Sequence, residues 1–229
     1  MVAVIGDIHS CYNTLKTLYK KIINIYPDID IYTTGDLVDR GNFAFETINF
    51  IITKNIKPVM GNHDYMFLSY FREPGSLMAQ NWLYNNPYKT IMSYKNLMNE
   101  LQQHLEFIKN LQIYYKTSDC FISHAGISEY FKKDFGEGDL TKSEIFYPVL
   151  YNTKELSIGI MWTRDKLLNI GQLKIVGHTP QTEIKYDADS NTYYIDTGCV
   201  YGDKLTAVII DNHNLVDFLE EEVHMADIK

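Results

Sequence analysis

The sequence has little cysteine, no long apolar run and no excess of positive charge, and each shortage excludes a class of protein. Its three cysteines, Cys11, Cys120 and Cys199, are odd in number and widely spaced, which favours reduced core thiols in a cytoplasmic protein over a disulfide framework. No apolar run approaches the roughly 20 residues that cross a bilayer. The apolar opening at 1–5 is too short for a signal peptide and has no basic leader, so no membrane partner is expected.

Basic charge is also scarce, because 21 Lys and Arg face 29 Asp and Glu and the formal net charge is −8. Proteins that live on nucleic acid usually carry a basic face, so bulk nucleic-acid binding is not expected. The acidic balance still allows a phosphate substrate, since bound divalent cations reverse the sign of the charge around them. The chain also lacks repeats, low-complexity tracts and Pro-, Gly- or Ser-rich linkers, which predicts one domain over residues 1–229.

What the sequence does contain is an alternation of short apolar runs with helical patterns, which is typical of an α/β domain. The predicted strands cover residues 2–5, 29–33, 57–60, 112–115, 120–123, 173–177, 192–196 and 205–210. The predicted helices cover residues 12–26, 43–54 and several segments of a helical insert at 65–111, and residues 128–157 are predicted as an irregular excursion. On the second helix, Phe45, Ile48 and Ile52 are expected on one side.

Chemically capable polar residues stand directly after five of the apolar runs. In α/β proteins, ligands bind at the carboxyl ends of strands, because the loops there present side chains to one edge of the sheet. These residues are therefore expected to meet at one site. They are Asp7 and His9 after the first run, Asp36 after the second, Asn62 and His63 after the third, and His124 and His178 after later ones.

Two of these segments carry carboxylates at spacings that suit a metal. Asp7 and His9, in Gly6-Asp7-Ile8-His9, are two residues apart along an extended chain and can face one ion, although a turn carboxylate and a surface histidine explain that segment alone equally well. The second segment is Gly35-Asp36-Leu37-Val38-Asp39-Arg40-Gly41. Asp36 is well placed there to bridge two cations, Asp39 could orient a histidine, and Arg40 offers a planar fork for phosphate.

Three further segments offer an amide and imidazoles. They are Gly61-Asn62-His63-Asp64, Ser123-His124-Ala125-Gly126 and Gly177-His178-Thr179. Each alone is explained more simply by a loop cap or a packed histidine, but all share the strand-end context of the carboxylates, and their joint occurrence favours a common site. Carboxylate, imidazole and amide ligands together suit Mn, Fe or Zn rather than an ion that prefers thiolates. His63 could act there as a general acid.

In this order, the five segments resemble the motifs of the phosphoprotein phosphatase family, a branch of the calcineurin-like metallophosphoesterases. The motifs span residues 6 to 179, and the later stretches Asp196-Thr197-Gly198 and Tyr201-Gly202-Asp203-Lys204 are similar to the bacterial and phage serine/threonine-type branch. Nearly the whole chain is covered. The resemblance implies an α/β sandwich of two mixed β-sheets flanked by helices.

The resemblance also implies a role for each residue. Two divalent metal ions are expected, Mn²⁺ in the first place with Fe or Zn as alternatives. One set of ligands is Asp7, His9 and Asp36, and the other is Asp36, Asn62, His124 and His178. Asp39 is expected to orient His63 as the proton donor to the leaving oxygen. Arg40 and Arg164, the latter in Trp162-Thr163-Arg164-Asp165, are expected to hold phosphate, and Tyr201 to contact substrate.

Three positions depart from the family's pattern. Ser10 follows His9 where the family usually has Gly, Asp64 replaces a Glu, and Asp203 stands where a second Gly is expected. We expect Ser10 to be tolerated in a turn and Asp64 to shift a contact around the metal ligands. Asp64 is also similar to the form seen in the symmetrical diadenosine tetraphosphate hydrolases, a sister group, although these usually lack the Asp39-Arg40 pair in this form.

The implied activity is hydrolysis of a phosphomonoester by a water activated between two metals, without a phosphoenzyme. The expected substrate is a phosphoserine or phosphothreonine protein or peptide, with phosphotyrosine as an extension. The alternative is symmetrical hydrolysis of diadenosine tetraphosphate, or of another small phosphate ester, on the same fold. Aromatic residues of the insert could then stack a base, although core packing explains them better: Tyr70, Trp82, Tyr84 and Tyr94. An inactive binding module is disfavoured, because every expected ligand is present.

Overall fold

Two five-stranded β-sheets form the centre of the computed structural model, which describes residues 1–133 and 159–229. The first sheet contains, in spatial order, β10 (Asn214–Glu222), β9 (Lys204–Asp211), β1 (Val2–Ile5), β2 (Asp30–Thr33) and β3 (Lys57–Pro58). The second contains β4 (Tyr114–Lys116), β5 (Phe121–Ser123), β6 (Lys174–Val176), β8 (Thr192–Tyr194) and β7 (Lys185–Asp187). Both sheets are mixed, since β1, β2 and β3 run parallel beside antiparallel β9, and β5, β6 and β8 run parallel between antiparallel edges.

Helices cover the outer faces of these sheets. They are α1 (Tyr12–Ile25), α2 (Ala44–Thr53), α3 (Asn62–Arg72), α4 (Leu77–Tyr84), α5 (Tyr88–Ser93), α6 (Met98–Lys109) and α7 (Met225–Ile228). Helices α3 to α6 occupy the stretch predicted as the helical insert. The excursion predicted at 128–157 begins with a 3-10 turn at Glu129–Lys133, and its remainder lies outside the described residues. None of the described helices has the length and apolar character needed to cross a membrane.

Alternation along β1 divides the apolar core in two, because successive side chains of a strand point to opposite faces. Val2 and Val4 face the second sheet and share a buried cluster with Ile175 of β6. Ala3 and Ile5 belong to the larger cluster beneath the helices. A strand buried on both faces is a continuous apolar run in the sequence, which is why β1 was predictable. All three cysteines are free and buried, as the sequence predicts.

The fold class predicted from the sequence is confirmed, and each predicted strand is present to within about two residues at either end. Two strands were not predicted, β7 and β10. Side chains of β10 alternate between partly buried and exposed, so this edge strand has no apolar run to reveal it. The apolar residues predicted to share one side of α2 are not equally buried, since Ile48 is fully buried and Ile52 is not. Ile51 is fully buried, whereas Ile52 is 42% exposed.

The C-terminal helix α7 holds the start of α1. The buried carboxylate of Asp227 accepts the backbone N–H groups of Asn13 at 3.0 Å and Thr14 at 2.9 Å, and also their side-chain amide and hydroxyl. The first N–H groups of a helix have no partner within it, and Cys11 at the N-cap supplies no side-chain hydrogen bond. Asp227 therefore caps α1 from the other end of the chain. Its carbonyl also accepts the N–H of Asn42 at 2.8 Å.

We expect Asp227→Asn to lower the free energy of unfolding by about 2 kcal/mol, because it removes a buried charge that accepts from two helix N–H groups. Urea denaturation followed by circular dichroism would measure the change. The matched control is Asp28→Asn, at an exposed carboxylate, for which the change should stay within about 0.5 kcal/mol. Equal stability of the two variants would contradict the capping role of Asp227.

Candidate functional site

The ends of five parallel strands, from both sheets, bring the predicted ligands together. In the first sheet, the loops after β1, β2 and β3 carry Asp7 and His9, Asp36, and Asn62. In the second sheet, the loops after β5 and β6 carry His124 and His178. Two sets of side chains place their ligand atoms within 4.8 Å of one another. They are Asp7, Asp36 and His124, and His9, Asp36 and His63.

Hydrogen bonds hold these strand ends together. The backbone N–H of His178 donates to Asp7 Oδ2 at 2.8 Å, and the hydroxyl of Thr34 donates to Asp7 Oδ1 at 2.6 Å. The carbonyl of Thr34 in turn accepts Nδ1–H of His124 at 2.7 Å. A Cβ on Gly177 would overlap the Asp7 carboxylate, so only glycine allows this approach.

Left-handed backbone is concentrated at the same place. Six of the twelve described non-glycine residues with positive φ belong to the site, and the other six are five asparagines and His213. Asparagine, aspartate and histidine adopt this conformation more often than other residues, but it is uncommon for any residue with a side chain. The site residues are His9, Ser10, Asp36, Asp39, Arg40 and His178. Ser10, at φ 59°, stands in a turn as expected. Strain of this kind persists where surrounding contacts fix the side chains for a task.

The imidazoles of His124 and His178 direct lone pairs at each other. A carbonyl can only accept, so Nδ1 of His124 carries the proton donated to Thr34, and Nε2 of His178 carries the proton donated to the Trp162 carbonyl at 3.1 Å. Burial lowers the pKa of His124, and lowers that of His178 to about 3, so both rings are neutral. Their remaining nitrogens face each other at 3.1 Å, with Asn62 Oδ1 at 2.9 Å and 3.2 Å. A cation between these atoms would replace repulsion by coordination.

A second group of unprotonated ligand atoms lies near the other carboxylate oxygen of Asp36. Nδ1 of His9 donates to the Val38 carbonyl at 3.0 Å, which leaves its Nε2 unprotonated and 3.3 Å from Asp36 Oδ2. The guanidinium of Arg40 contacts the same nitrogen. Burial holds the pKa of His9 well below its usual value. Carboxylate, imidazole and amide atoms thus flank Asp36 on two sides, and this set fits hard or borderline divalent cations.

His63 is held by one nitrogen and presents the other to the open side of the site. Its Nδ1 donates to Asp39 Oδ2 at 2.7 Å, and its Nε2 lies 2.9 Å from Nη2 of Arg40. Asp39 is fully buried and His63 nearly so. Neither ring nor carboxylate is free to turn, so Nε2 of His63 has a fixed position beside Arg40.

These groups open into a cleft of about 610 Å³. Arg164 and Asp165 lie on one wall and Asn81 and Asn85, from α4, also line it. Tyr201 is 62% exposed, with its ring centroid 5.5 Å from Cζ of Arg40. The described lining consists of Asp36, Arg40, Asn62, His63, Asn81, Asn85, Trp162, Arg164, Asp165, His178, Pro180 and Tyr201. Every residue predicted to touch phosphate or substrate therefore borders this cleft.

Several residues of the site were given no role from the sequence. Thr34 and Asp196 each follow an apolar strand, which was the available signal. Asp196 is buried, and burial together with the nearby Asp36 charge raises its pKa to about 6. Asn81 and Asn85 reach the cleft from the middle of the helical insert, and only the three-dimensional packing of α4 reveals them.

Asp64 joins two of the motifs. Its carboxylate accepts the N–H of Leu37 at 2.8 Å and the N–H of Gly61 at 3.0 Å, and burial raises its pKa well above the usual value. Gly61 itself lies against Asp36 so closely that a Cβ would overlap that side chain. The shorter carboxylate at this position thus holds the loop of Asp36 against the start of α3.

The aromatic residues considered for base stacking do not line the described part of the cleft. Trp82 and Tyr94 are buried, and Tyr70 packs on Trp82 with ring centroids 4.8 Å apart. Tyr84 is 89% exposed. Core packing therefore explains Tyr70, Trp82 and Tyr94, and the aromatic rings that do border the cleft are Trp162 and Tyr201.

Comparison with known proteins finds similarity to proteins with three different named activities. The asymmetrical bis(5'-nucleosyl)-tetraphosphatase of Oceanobacillus iheyensis is 26% identical, over 99% of this chain and 95% of its own. Serine/threonine-protein phosphatase 2 of Salmonella typhimurium is 28% identical, over 85% of this chain and 86% of its own. The crystal structure of a cold-active protein-tyrosine phosphatase from a Shewanella species superposes with a TM-score of 0.61 at 20% identity, covering 97% of this chain and 80% of that one.

A family model agrees with the fold and with the motif resemblance. The model for calcineurin-like phosphoesterases matches residues 1–218, which includes all the strands of both sheets except the end of β10. The match also includes every residue discussed at the site. The chain therefore belongs to the calcineurin-like phosphoesterase family.

Proposed function

We propose that this protein hydrolyses phosphate monoesters on proteins or peptides. The observation that carries the proposal is the buried His63–Asp39 pair, which presents Nε2 of His63 between the candidate metal ligands and Arg40. A proton donor fixed at that point serves an ester whose leaving oxygen is a poor leaving group, as an alkoxide is. The Salmonella relative, named a serine/threonine-protein phosphatase, supports the same substrate class.

The residues divide the reaction between them. Asp7, His9 and Asp36 would hold one divalent ion, and Asp36, Asn62, His124 and His178 a second. When bound, such a pair supplies a water activated for attack on phosphorus and neutralises phosphate charge. Arg40 and Arg164 would hold the equatorial oxygens. With both ring nitrogens protonated, His63 would give its Nε2 proton to the leaving oxygen and return to the Nδ1–H form, whose proton Asp39 accepts while it fixes the ring.

The charge of the cleft favours a substrate with one phosphoryl group. Among the described residues that line it, the cations are Arg40 and Arg164, and the acids are Asp36 and Asp165. A phosphate monoester carries about −1.5 to −2 at neutral pH, which two guanidinium groups and the metals can hold. A longer phosphate chain would need further cations. The neutral amides of Asn81 and Asn85 suit the amide groups of a peptide backbone.

Hydrolysis of a dinucleoside polyphosphate is the second candidate. Trp162 and Tyr201 present aromatic rings at the cleft, and an aromatic face can stack any nucleobase. The Oceanobacillus relative, which aligns over nearly its whole length, is named a bis(5'-nucleosyl)-tetraphosphatase. The same metal ligands would serve this reaction, so the two candidates differ only in what the walls of the cleft bind.

We expect the Mn²⁺-loaded protein to release phosphate from phosphoserine and phosphothreonine peptides with a higher kcat/KM than it cleaves diadenosine tetraphosphate. Both assays use one preparation, with products separated by chromatography and with chelator-treated protein as the control. Preferential cleavage of the dinucleotide would instead establish the second candidate. Symmetrical cleavage would give two ADP, and asymmetrical cleavage would give ATP and AMP.

We expect His63→Asn to lower kcat on phosphoserine peptides by about 10²–10⁴-fold, the usual contribution of a general acid. Its metal content, measured by elemental analysis, should equal that of the wild type, because the side chain bonds Asp39 rather than the proposed ions. Unchanged turnover would remove His63 from the mechanism.

We expect Asp36→Asn to lose bound metal, because this carboxylate lies between both candidate ligand sets and an amide is a much weaker ligand. Elemental analysis after dialysis measures the loss, and the rise in unfolding temperature on adding Mn²⁺ should also be smaller than in the wild type. The matched control is Asp165→Asn, an acid on the cleft wall outside those sets. Full metal occupancy in Asp36→Asn would exclude the bridging role.

A further inference from the structure

The buried carboxylate of Asp39 is held by two side chains of the helical insert. Nε1–H of Trp82, on α4, donates to Asp39 Oδ2 at 2.8 Å and to Oδ1 at 3.1 Å. The hydroxyl of Thr90, on α5, donates to Oδ1 at 2.8 Å, and its oxygen accepts the backbone N–H of Asp39 at 3.1 Å. Together with Nδ1–H of His63, three side chains thus donate to one carboxylate.

We propose that Trp82 and Thr90 are positioning residues for proton transfer by His63. They fix the plane of the Asp39 carboxylate, and Asp39 in turn fixes the tautomer of His63 and the direction of its Nε2. The helical insert would therefore take part in the reaction through Asp39, without touching substrate. The inference rests on the proposed role of His63, and it adds Trp82 and Thr90 to the residues on which that role depends.

Burial makes the loss of any one of these hydrogen bonds costly. Asp39, Trp82 and Thr90 are all 0% exposed, so water cannot replace a donor that is removed. The described hydrogen bonds to this carboxylate come from His63, Trp82 and Thr90, and none comes from Lys or Arg. Neutral donors must therefore stabilise the charge, and bonds to an ionised acceptor are stronger than neutral ones.

The backbone at Asp39 adds a second reason for outside support. Asp39 and Arg40 have φ angles of 72° and 69°, a conformation that costs a non-glycine residue free energy. The bond from the Asp39 N–H to Thr90 helps to hold this loop in place. Thr90 thus bonds both the backbone and the carboxylate of Asp39.

Packing alone does not account for the arrangement. Trp82 stacks against Phe67, Tyr70 and Phe71, and an aromatic ring there would fill the core whether or not it carried a donor. The indole N–H nevertheless points at both oxygens of the carboxylate that accepts Nδ1–H of His63. Trp82→Phe separates the two roles, because it keeps a large ring and removes the N–H.

The kinetic test compares two leaving groups. Trp82→Phe and Thr90→Val are assayed on a phosphoserine peptide, whose alkoxide needs a proton, and on 2,4-dinitrophenyl phosphate, whose phenolate leaves without one. We expect kcat on the peptide to fall by about tenfold or more, while kcat on the aryl ester changes by less than about threefold. KM should stay within about twofold on both, since neither residue touches substrate. Thr90→Ser keeps the hydroxyl and should behave as the wild type.

The matched control is Tyr94→Phe. Tyr94 is a buried residue of the same insert, and its hydroxyl bonds His104 at 2.8 Å without contacting Asp39. This variant loses a buried hydrogen bond of similar length, so it measures the effect of merely loosening the insert. We expect it to leave the ratio of the two rates unchanged.

A spectroscopic test does not depend on activity. The chain has two tryptophans, so a ¹⁵N-labelled metal-free sample shows two indole cross-peaks, and Trp82→Phe identifies one. Asp39→Asn and Thr90→Val should move the Trp82 peak, and Asp39→Asn should leave the Trp162 peak in place. The ring nitrogens of His63 should show a single Nδ1–H tautomer in the wild type and a mixture in Trp82→Phe.

Three results would overturn the inference. One is an equal loss of rate on both esters in Trp82→Phe and Thr90→Val, and another is behaviour identical to Tyr94→Phe. The third is an unchanged His63 tautomer in Trp82→Phe. If Trp82→Phe does not fold, Thr90→Val carries both measurements. If the wild type hydrolyses neither ester, the proposed function fails, and the spectra of the metal-free protein still decide whether Trp82 and Thr90 fix His63.

Discussion

Unprotonated ring nitrogens that repel one another lie close together where the two sheets meet, and the surrounding structure holds them in place. His124 and His178 direct unprotonated nitrogens at each other across 3.1 Å, with Asn62 beside them. No favourable contact within this group explains its geometry. Parallel strand pairing places the loops, the bonds from His178 to Asp7 and from His124 to Thr34 hold the sheets together, and the helical insert fixes Asp39. The free energy that this repulsion costs would be recovered on binding a cation.

The local pattern of apolar residues was sufficient to predict the strands that are buried on both faces. β1 is an apolar run of four residues, and Asp7 directly follows its end. Because parallel strands end at one edge, the meeting of Asp7, Asp36 and Asn62 within the first sheet followed from the sequence. The same strand-end argument predicted that His124 and His178 join them, and the structure places them there. That their strands belong to a second sheet was implied only by the family resemblance.

The features that escaped prediction depend on contacts distant in sequence or on one-sided burial. β10 alternates between partly buried and exposed residues at the edge of its sheet, so it resembles a polar loop. The choice of Ile51 over Ile52 depends on the rotation of α2 against its neighbours. Trp82 was considered a surface for a base, yet it bonds Asp39, which is 43 residues away. Only the packing of α4 against the loop of Asp39 reveals that partner.

The position of β1 has a consequence for the order in which the site can be made. β1 is synthesised well before β9, which spans Lys204–Asp211, although in its sheet it lies between β2 and β9. Until β9 is synthesised, one edge of β1 has no partner. Contacts between segments this far apart in sequence form slowly, and unpaired strand edges that are prone to aggregate stay exposed until they form. The loop of Asp7 and His9 therefore stands on an incomplete sheet until β9 has paired with β1, and a cation would meet the finished set of ligands only after that.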